Sequence, residues 1–215
     1  MKIDFVSDVA CPWCAVGLSS LETALARIGA EIPIELHFQP FELNPSLSAE
    51  GEDTVEYLSK KYGSTREQLA SNREALRQRG AAVGFRFGER PRVWNTFDAH
   101  RLLYWAALEG LADAQRRLKH ALLAAYHTDA QNPGAPEVLL RIVGELGLDA
   151  ARARAILESD EFTPEVRERE HHFQQLGIDS VPSVIIDDQH LIQGGQPPEV
   201  FERALRQLAA QPPQP

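Results

Sequence analysis

Short strand-like runs lie at both ends of the chain, and stretches with a helical period fill the middle. Ile3 to Ser7 is short and mainly apolar, as in a buried parallel strand. Ala15 to Ile28 places its leucines on one helical face, and Gly29 follows as a stop signal. Residues 34–39 alternate strictly between apolar and polar until Pro40. A strand, a helix and a second strand with short connections predict a right-handed crossover unit with parallel strands.

A long helical region follows this unit. Ser64 to Glu67 has the spacing of a capping box ahead of a helix that runs to about Gly80. Further amphipathic stretches cover Thr96–Leu108, Ala112–Tyr126 and Pro136–Leu146. No strand-like run is found between Pro45 and Ser159. The pattern therefore predicts a helical bundle inserted into an α/β frame.

Strand signals return near the C-terminus. We predict in turn a helix, a buried strand, its hairpin partner and a last helix, which cover Asp160 or Thr163 to Leu176, Val181–Ile186, His190–Gln193 and Pro197–Leu208. The tail from Gln211 to Pro215 is predicted to be disordered. The chain is thus expected to form a discontinuous α/β domain from residues 1–45 and 160–215, with an all-helical domain inserted over residues 46–159.

Net charge and hydropathy exclude two classes of partner. The 215 residues carry a formal net charge of −9, which disfavours binding to nucleic acid and to anionic membrane surfaces. No apolar run approaches the ~20 residues that cross a bilayer. Met1 leads straight into the first strand without the segments of a signal peptide, so a cytoplasmic location is expected.

The chain contains two cysteines, Cys11 and Cys14, and they frame Pro12 and Trp13 at the mouth of the first helix. Unpaired N–H groups and the positive end of the helix dipole stabilise a thiolate there, and the thiolate is the nucleophile of disulfide exchange. Pro12 suits the first turn because the N–H it lacks would have no helical partner. Cys14, one turn further on, is expected to be the more buried, resolving thiol. This pair predicts thiol–disulfide exchange.

Two considerations limit that prediction. A zinc site would need a second pair of ligands, and neither further cysteines nor suitably spaced histidines exist, so we predict no metal. The helix dipole contributes roughly 0.3–1 kcal/mol, less than one pKa unit. Since Trp13 offers no cation to the sulfur, we expect the cysteine pair to have a moderate reduction potential, more negative than the ~−120 mV of the strongest oxidants.

The order of motifs resembles the DsbA family of thioredoxin-fold proteins, and more closely its cytoplasmic FrnE-like branch. The residues that carry the resemblance are Asp8, Cys11 to Cys14, Gly17, Pro40 to Pro45, Phe97 to Arg101, Val181-Pro182 and Gly195 to Pro197. It implies an α/β, thioredoxin-like fold with a large helical insertion, and a thiol–disulfide oxidoreductase without a bound cofactor.

The resemblance also has implications for the site and its partners. It implies that the Val181–Pro182 bond is cis and faces the cysteines, so that Pro12, Trp13, Val181 and Pro182 bind substrate. Expected partners are disulfides or dithiols of proteins and peptides, with glutathione as a possible redox partner. The protein is expected to be a monomer or a homodimer.

One position departs from the thioredoxin pattern. Many relatives carry a buried acid six residues before the first cysteine, but this chain has Phe5 there. Asp8 is the alternative candidate for proton transfer to or from the thiols. Its place at the end of the strand predicts partial exposure, and such a residue is more often a turn or capping residue.

Two other functions stay open. Kappa-class transferases and hydroxychromene carboxylate isomerases are similar in fold, use glutathione, and typically have serine at the position of Cys11; they do not need Cys14. A redox-sensing binding protein or chaperone is the other alternative, with a pocket lined by aromatic side chains. Its candidates are Phe41, Trp94, Phe97, Tyr104 and Trp105, although aromatics at helical spacing more often form core.

Overall fold

The computed structural model describes residues 1–109, 111 and 113–211. The strands of this part of the chain are β1 (Lys2–Ser7), β2 (Glu35–Pro40), β3 (Glu52–Asp53), β4 (Arg92–Val93), β5 (Ser183–Ile186) and β6 (His190–Gln193). The helices are α1 (Pro12–Ile28), α2 (Thr54–Tyr62), α3 (Arg66–Ala82), α4 (Phe97–Leu108), α5 (Ala114–His127), α6 (Pro136–Glu145), α7 (Ala150–Leu157), α8 (Thr163–Gln175) and α9 (Pro198–Ala209).

One sheet in the described residues has the strand order β2-β1-β5-β6. β1 pairs in parallel with β2, as the crossover pattern predicts, and antiparallel with β5. Phe5 packs on one face of the sheet in a core that includes α1 and α9, whereas Val6 belongs to a separate core cluster with Phe173 of α8. Both faces of β1 are therefore covered, and the β1–α1 connection that follows it is itself buried.

The helices α4, α5, α6 and α7 share a second core. Its largest side chain is Trp105, which packs with Leu118, Leu139 and Ile156 among others. Leu123 of α5 instead belongs to the core beneath α1. The insertion therefore contacts the cysteine-bearing helix through α5. The exact division of the chain into two domains stays a prediction.

Four details differ from the sequence prediction. Residues 46–159 do contain strand: β3 and β4 pair with each other, and the Arg92 guanidinium donates to the carbonyls of Glu50 and Gly51. Two-residue strands are too short to produce a period. The capping box is formed by Thr65 and Gln68, one residue later than predicted. The sequence could not distinguish the two positions, because Thr65 fits the motif as well as Ser64 does.

The other two details are unpredicted helices. α2 is capped by the Asp53 carboxylate and α7 by that of Asp149, and both are too short to give a strong helical period. The predicted helix start at Ala112 and the tail over residues 212–215 lie outside the described residues. None of the described helices combines the length and the apolar character needed to cross a bilayer.

Candidate active site

Cys11 and Cys14 lie at the start of α1. The chain leaves β1 at Ser7, and the N–H of Cys11 donates to the Asp8 carbonyl at 3.2 Å. This bond closes a tight turn over residues 8–11, here called the cysteine turn. Cys11 is the N-cap of α1 with an extended backbone, and Pro12 opens the helix. The two cysteines therefore lie three residues apart on the first turn of α1, both as free thiols.

The electrostatic environments of the two sulfurs differ. The Cys14 thiol, acting as a hydrogen-bond donor, lowers the pKa of Cys11, with help from the backbone N–H groups of Cys14 and Trp13; burial and the Asp8 charge oppose this. Burial raises the pKa of Cys14 well above its ordinary value, and the Cys11 sulfur raises it further. Cys11 is thus the sulfur that ionises first. Cys14 is fully enclosed, as expected for a resolving thiol.

The Val181–Pro182 bond is cis, as the resemblance implies. It faces the cysteines, because the Cys11 Sγ lies 3.5 Å from the Val181 carbonyl oxygen. On its other side the Pro182 ring packs against Gly17 of α1, where an added Cβ would lie 2.8 Å from the Pro182 Cγ. The backbone of Val181 therefore borders the space through which a substrate sulfur would reach Cys11.

A cleft of about 700 Å³ opens beside Cys11 between the cysteine turn and the helices α2 and α3. Apolar side chains such as Leu58, Leu69 and Leu76 line much of it, and Trp13 and Tyr62 stand partly exposed around it. The Thr54 hydroxyl, which belongs to a lining residue, is buried without a hydrogen-bond partner in the described part of the chain. The cleft is thus large, mainly apolar and adjacent to the nucleophile.

Asp8 is completely buried, so the expectation of partial exposure is wrong. Its carboxylate accepts hydrogen bonds from the N–H groups of Ala10 and Leu43 and from the Thr96 hydroxyl, and lies 3.4 Å from the His100 ring. Burial opposes ionisation, but His100 and the backbone donors outweigh it and lower the pKa of Asp8. The sequence could not show that the insertion covers this turn.

The sequence did not indicate two further titratable residues, which lie on the helix that packs against the cysteine turn. Lys119 and His127, both on α5, are each about 1% exposed. The His127 ring contacts the Val9 carbonyl at 2.8 Å, and burial holds the pKa of this imidazole well below its usual range. The one available signal was their spacing, which places them on the same helical face as the buried Leu123.

The five aromatic candidates for a binding pocket do not line the cleft. Phe41, Trp94 and Trp105 are buried in the core, Phe97 lies under the Arg167 guanidinium, and Tyr104 packs against Phe162. Among the described residues, no group of three or more histidine, cysteine or acidic side chains is arranged to hold a metal ion.

The fold and the cysteine turn define a class of protein. The DSBA-like thioredoxin domain matches residues 2–206, so the chain belongs to the DsbA-like family of the thioredoxin fold. The structure of a probable DsbA oxidoreductase, SCO1869 from Streptomyces coelicolor, is similar over 100% of this chain and 93% of that one, with 33% identity and a TM-score of 0.91.

Three further proteins have lower sequence identity to this chain. The uncharacterized protein YwbO of Bacillus subtilis is 28% identical over 211 residues, which are 95% of this chain and 96% of that protein. The cytosolic disulfide reductase DsbM from Pseudomonas aeruginosa with GSH shares the fold, with 14% identity over 98% of this chain and 100% of that one and a TM-score of 0.67. A 2-hydroxychromene-2-carboxylate isomerase also shares it, with 16% identity, 97% and 96% coverage and a TM-score of 0.72.

Proposed function

We propose that this protein is a thiol–disulfide oxidoreductase in which Cys11 is the nucleophile and Cys14 the resolving thiol. The observation that supports this best is that the pKa values of the two thiols, which lie on one helical turn, are shifted in opposite directions. The pKa of Cys11 is lowered and that of Cys14 is raised. Because the reactive form is the thiolate, this asymmetry decides which sulfur attacks first.

The proposed reaction has two exchange steps. The Cys11 thiolate attacks one sulfur of a substrate disulfide, forms a mixed disulfide and releases the other substrate sulfur as a thiolate. Cys14 then loses its proton and attacks the Cys11 sulfur, so that the Cys11–Cys14 bond forms and the second substrate sulfur leaves as a thiolate. Two electrons pass from the dithiol to the substrate, and the reverse sequence oxidises a substrate dithiol.

Disulfides of proteins or peptides and small thiols such as glutathione are the proposed partners, exchanged without a bound cofactor. The Val181 carbonyl beside Cys11 can pair with an extended peptide, which Pro12, Trp13 and Pro182 would flank. The cleft of about 700 Å³ lies in the size range of small-molecule sites. Membership of the FrnE-like branch and a cytoplasmic location belong to the same proposal, in which exchange reduces or isomerises damaged disulfides.

A redox titration in glutathione buffers tests the proposal with three proteins: the wild type, Cys11→Ser and Cys14→Ser. We expect the wild type to form its disulfide reversibly, Cys14→Ser to accumulate a mixed disulfide with glutathione at Cys11, and Cys11→Ser to exchange far more slowly because its remaining thiol is buried. Alkylation and mass measurement count the thiols at each point.

The two alternatives give different results. If Cys14→Ser turned over a glutathione conjugate, the transferase or isomerase interpretation would replace the proposal, because that chemistry needs no resolving thiol. If the double variant Cys11→Ser, Cys14→Ser kept full activity in cells, a binding protein or chaperone would be favoured. A wild type that cannot form the Cys11–Cys14 bond would contradict disulfide exchange altogether.

A further inference from the structure

Lys119 is buried without a counter-ion. Its side chain is 1% exposed, and in the described part of the chain no carboxylate lies within ion-pair distance of its amine. Burying an unpaired ammonium is costly, and a methionine would fill a similar space without that cost. Packing therefore does not explain a lysine at this position.

The backbone places Lys119 beneath the active site. Lys119, Leu123 and His127 follow at four-residue spacing and share one face of α5. Leu123 packs in the same core cluster as Cys11 and Cys14. The His127 ring contacts the carbonyl of Val9, two residues before Cys11. This face of α5 is thus the floor of the cysteine turn.

The groups around Lys119 come from three elements. Cys14, Asp8 and Cys11 face it from the β1–α1 turn, and their negative charges raise its pKa in that order of strength. His127, on α5 itself, is held neutral by burial. His100 of α4 lines a cavity of about 10 Å³ together with Lys119, close to the volume that one water needs.

The interaction between Lys119 and Cys14 is reciprocal. Burial lowers the pKa of Lys119, and the Cys14 thiolate is the strongest of the charges that raise it again. Lys119 in turn lowers the pKa of Cys14, against the larger effects of burial and of the Cys11 sulfur. A buried amine whose pKa is lowered, and which interacts through its charge with a thiol whose pKa is raised, is suited to accept the proton of that thiol.

We propose that Lys119 serves the resolving step as the buried base and compensating charge for the Cys14 sulfur. This inference rests on the proposed function. In the mixed disulfide, the Cys14 thiol gives its proton to the neutral Lys119 amine, which leaves a thiolate beside an ammonium. The thiolate attacks the Cys11 sulfur, the Cys11–Cys14 bond forms, and the substrate sulfur departs with its electron pair. The ammonium then returns its proton to solvent.

Ellman's reagent separates the two steps. Attack by Cys11 releases one equivalent of the coloured thiolate, and resolution of the resulting mixed disulfide by Cys14 releases the second. We compare the wild type with Lys119→Met and Lys119→Gln, and use Lys60→Met, which removes an exposed lysine, as the matched control. Stopped-flow absorbance across a pH series measures both phases.

In both Lys119 variants the second phase is expected to slow by about tenfold near neutral pH, which corresponds to a shift of one unit in the pKa of Cys14. Its midpoint moves to higher pH, and at alkaline pH its rate approaches that of the wild type. The first phase and the Lys60→Met control stay within about twofold of the wild type. Lys119→Met should also unfold at a higher temperature, because it removes a buried unpaired amine.

Two results would overturn the inference. One is a second phase with unchanged rate and pH dependence in both folded Lys119 variants. The other is an equal slowing at every pH together with a lower unfolding temperature, which indicates lost packing. If Lys119→Met does not fold, the alkylation rate of Cys14 in Cys11→Ser, with and without the more conservative Lys119→Gln, measures the same ionisation of the Cys14 thiol. A wild type without a second phase would instead contradict the proposed function itself.

Discussion

Asp8 shows how a single buried side chain can connect three parts of the chain. Its two oxygens accept from Ala10 in the cysteine turn, Leu43 after β2 and Thr96 before α4. A carboxylate whose pKa is lowered, first by His100 and then by the backbone N–H groups of Leu43 and Ala10, is a poor proton acceptor at neutral pH. The geometry therefore favours an anchoring role over the proton transfer that the sequence allowed for Asp8.

Replacing Asp8 by Asn tests this distinction. The amide presents N–H groups where a backbone N–H now donates, so we expect a loss of about 1.5–3 kcal/mol in the free energy of unfolding. Since the pKa of folded Asp8 lies below its ordinary 3.8, its contribution is complete above the unfolded value and disappears as the pH falls through the folded one. The gap between the variant and the wild type should close at strongly acidic pH.

The same substitution has a signature at the cysteine. The Asp8 charge raises the pKa of Cys11, so Asp8→Asn should lower it. Urea unfolding across pH and thiolate absorbance measure the two effects, with the exposed Asp179→Asn as the control, expected to stay within about 0.5 kcal/mol. Unchanged stability together with the loss of the pH dependence of exchange would restore a proton-transfer role.

At the scale of elements, the site depends on how closely α1 approaches the loop before β5. Gly17 lies inside α1, where replacing Gly by Ala ordinarily stabilises a helix by about 0.5–1 kcal/mol. Here the added Cβ would lie 2.8 Å from the Pro182 Cγ, closer than real Cβ contacts allow. Helix and loop would have to separate.

Gly17→Ala is therefore expected to destabilise the protein by about 1–3 kcal/mol, as overpacking does, and to slow attack by Cys11 because the Val181 carbonyl moves. Gly144→Ala is the matched control. Gly144 is also helical, in α6, but nothing lies within 4 Å of its added Cβ, so that variant should gain stability. Equal gains in both variants, measured by thermal unfolding, would show that the contact at Gly17 imposes no constraint.

The elements differ in how well the sequence could predict them. β1, α1 and the hairpin of β5 and β6 have strong periods and clear stop signals, and they lie where the pattern indicated. β3, β4 and α7 depend on a few local hydrogen bonds, which leave almost no period. The cysteine pair could be predicted from its spacing and from its place at the start of a helix. The Lys119 side of the site could not be predicted, because nothing local shows that α5 faces the β1–α1 turn.

At the scale of the whole molecule, the charges inside differ from those of the chain as a whole. The chain carries a formal net charge of −9, yet α5 buries Lys119 and His127 beneath the cysteines. Burial lowers the pKa of both groups. Because the unfolded chain binds protons at these positions more readily than the folded protein does, lowering the pH favours unfolding.

His127 should dominate this effect in mildly acidic solution. Below about pH 6.5 the unfolded chain protonates this imidazole while the folded protein does not, and the free energy of unfolding should fall by about 1.4 kcal/mol per pH unit from this residue alone. Removing the imidazole removes the slope, and His127→Gln retains a donor for the Val9 carbonyl. His172→Gln, at an exposed position, should leave the slope as it is.

Urea unfolding between about pH 6.5 and 5 measures the slope of the unfolding free energy with pH. An equal slope in wild type and His127→Gln would show that the imidazole also takes up its proton in the folded state. Protons from solvent would then reach the buried face of α5, and burial could no longer be the cause of the lowered pKa of Lys119.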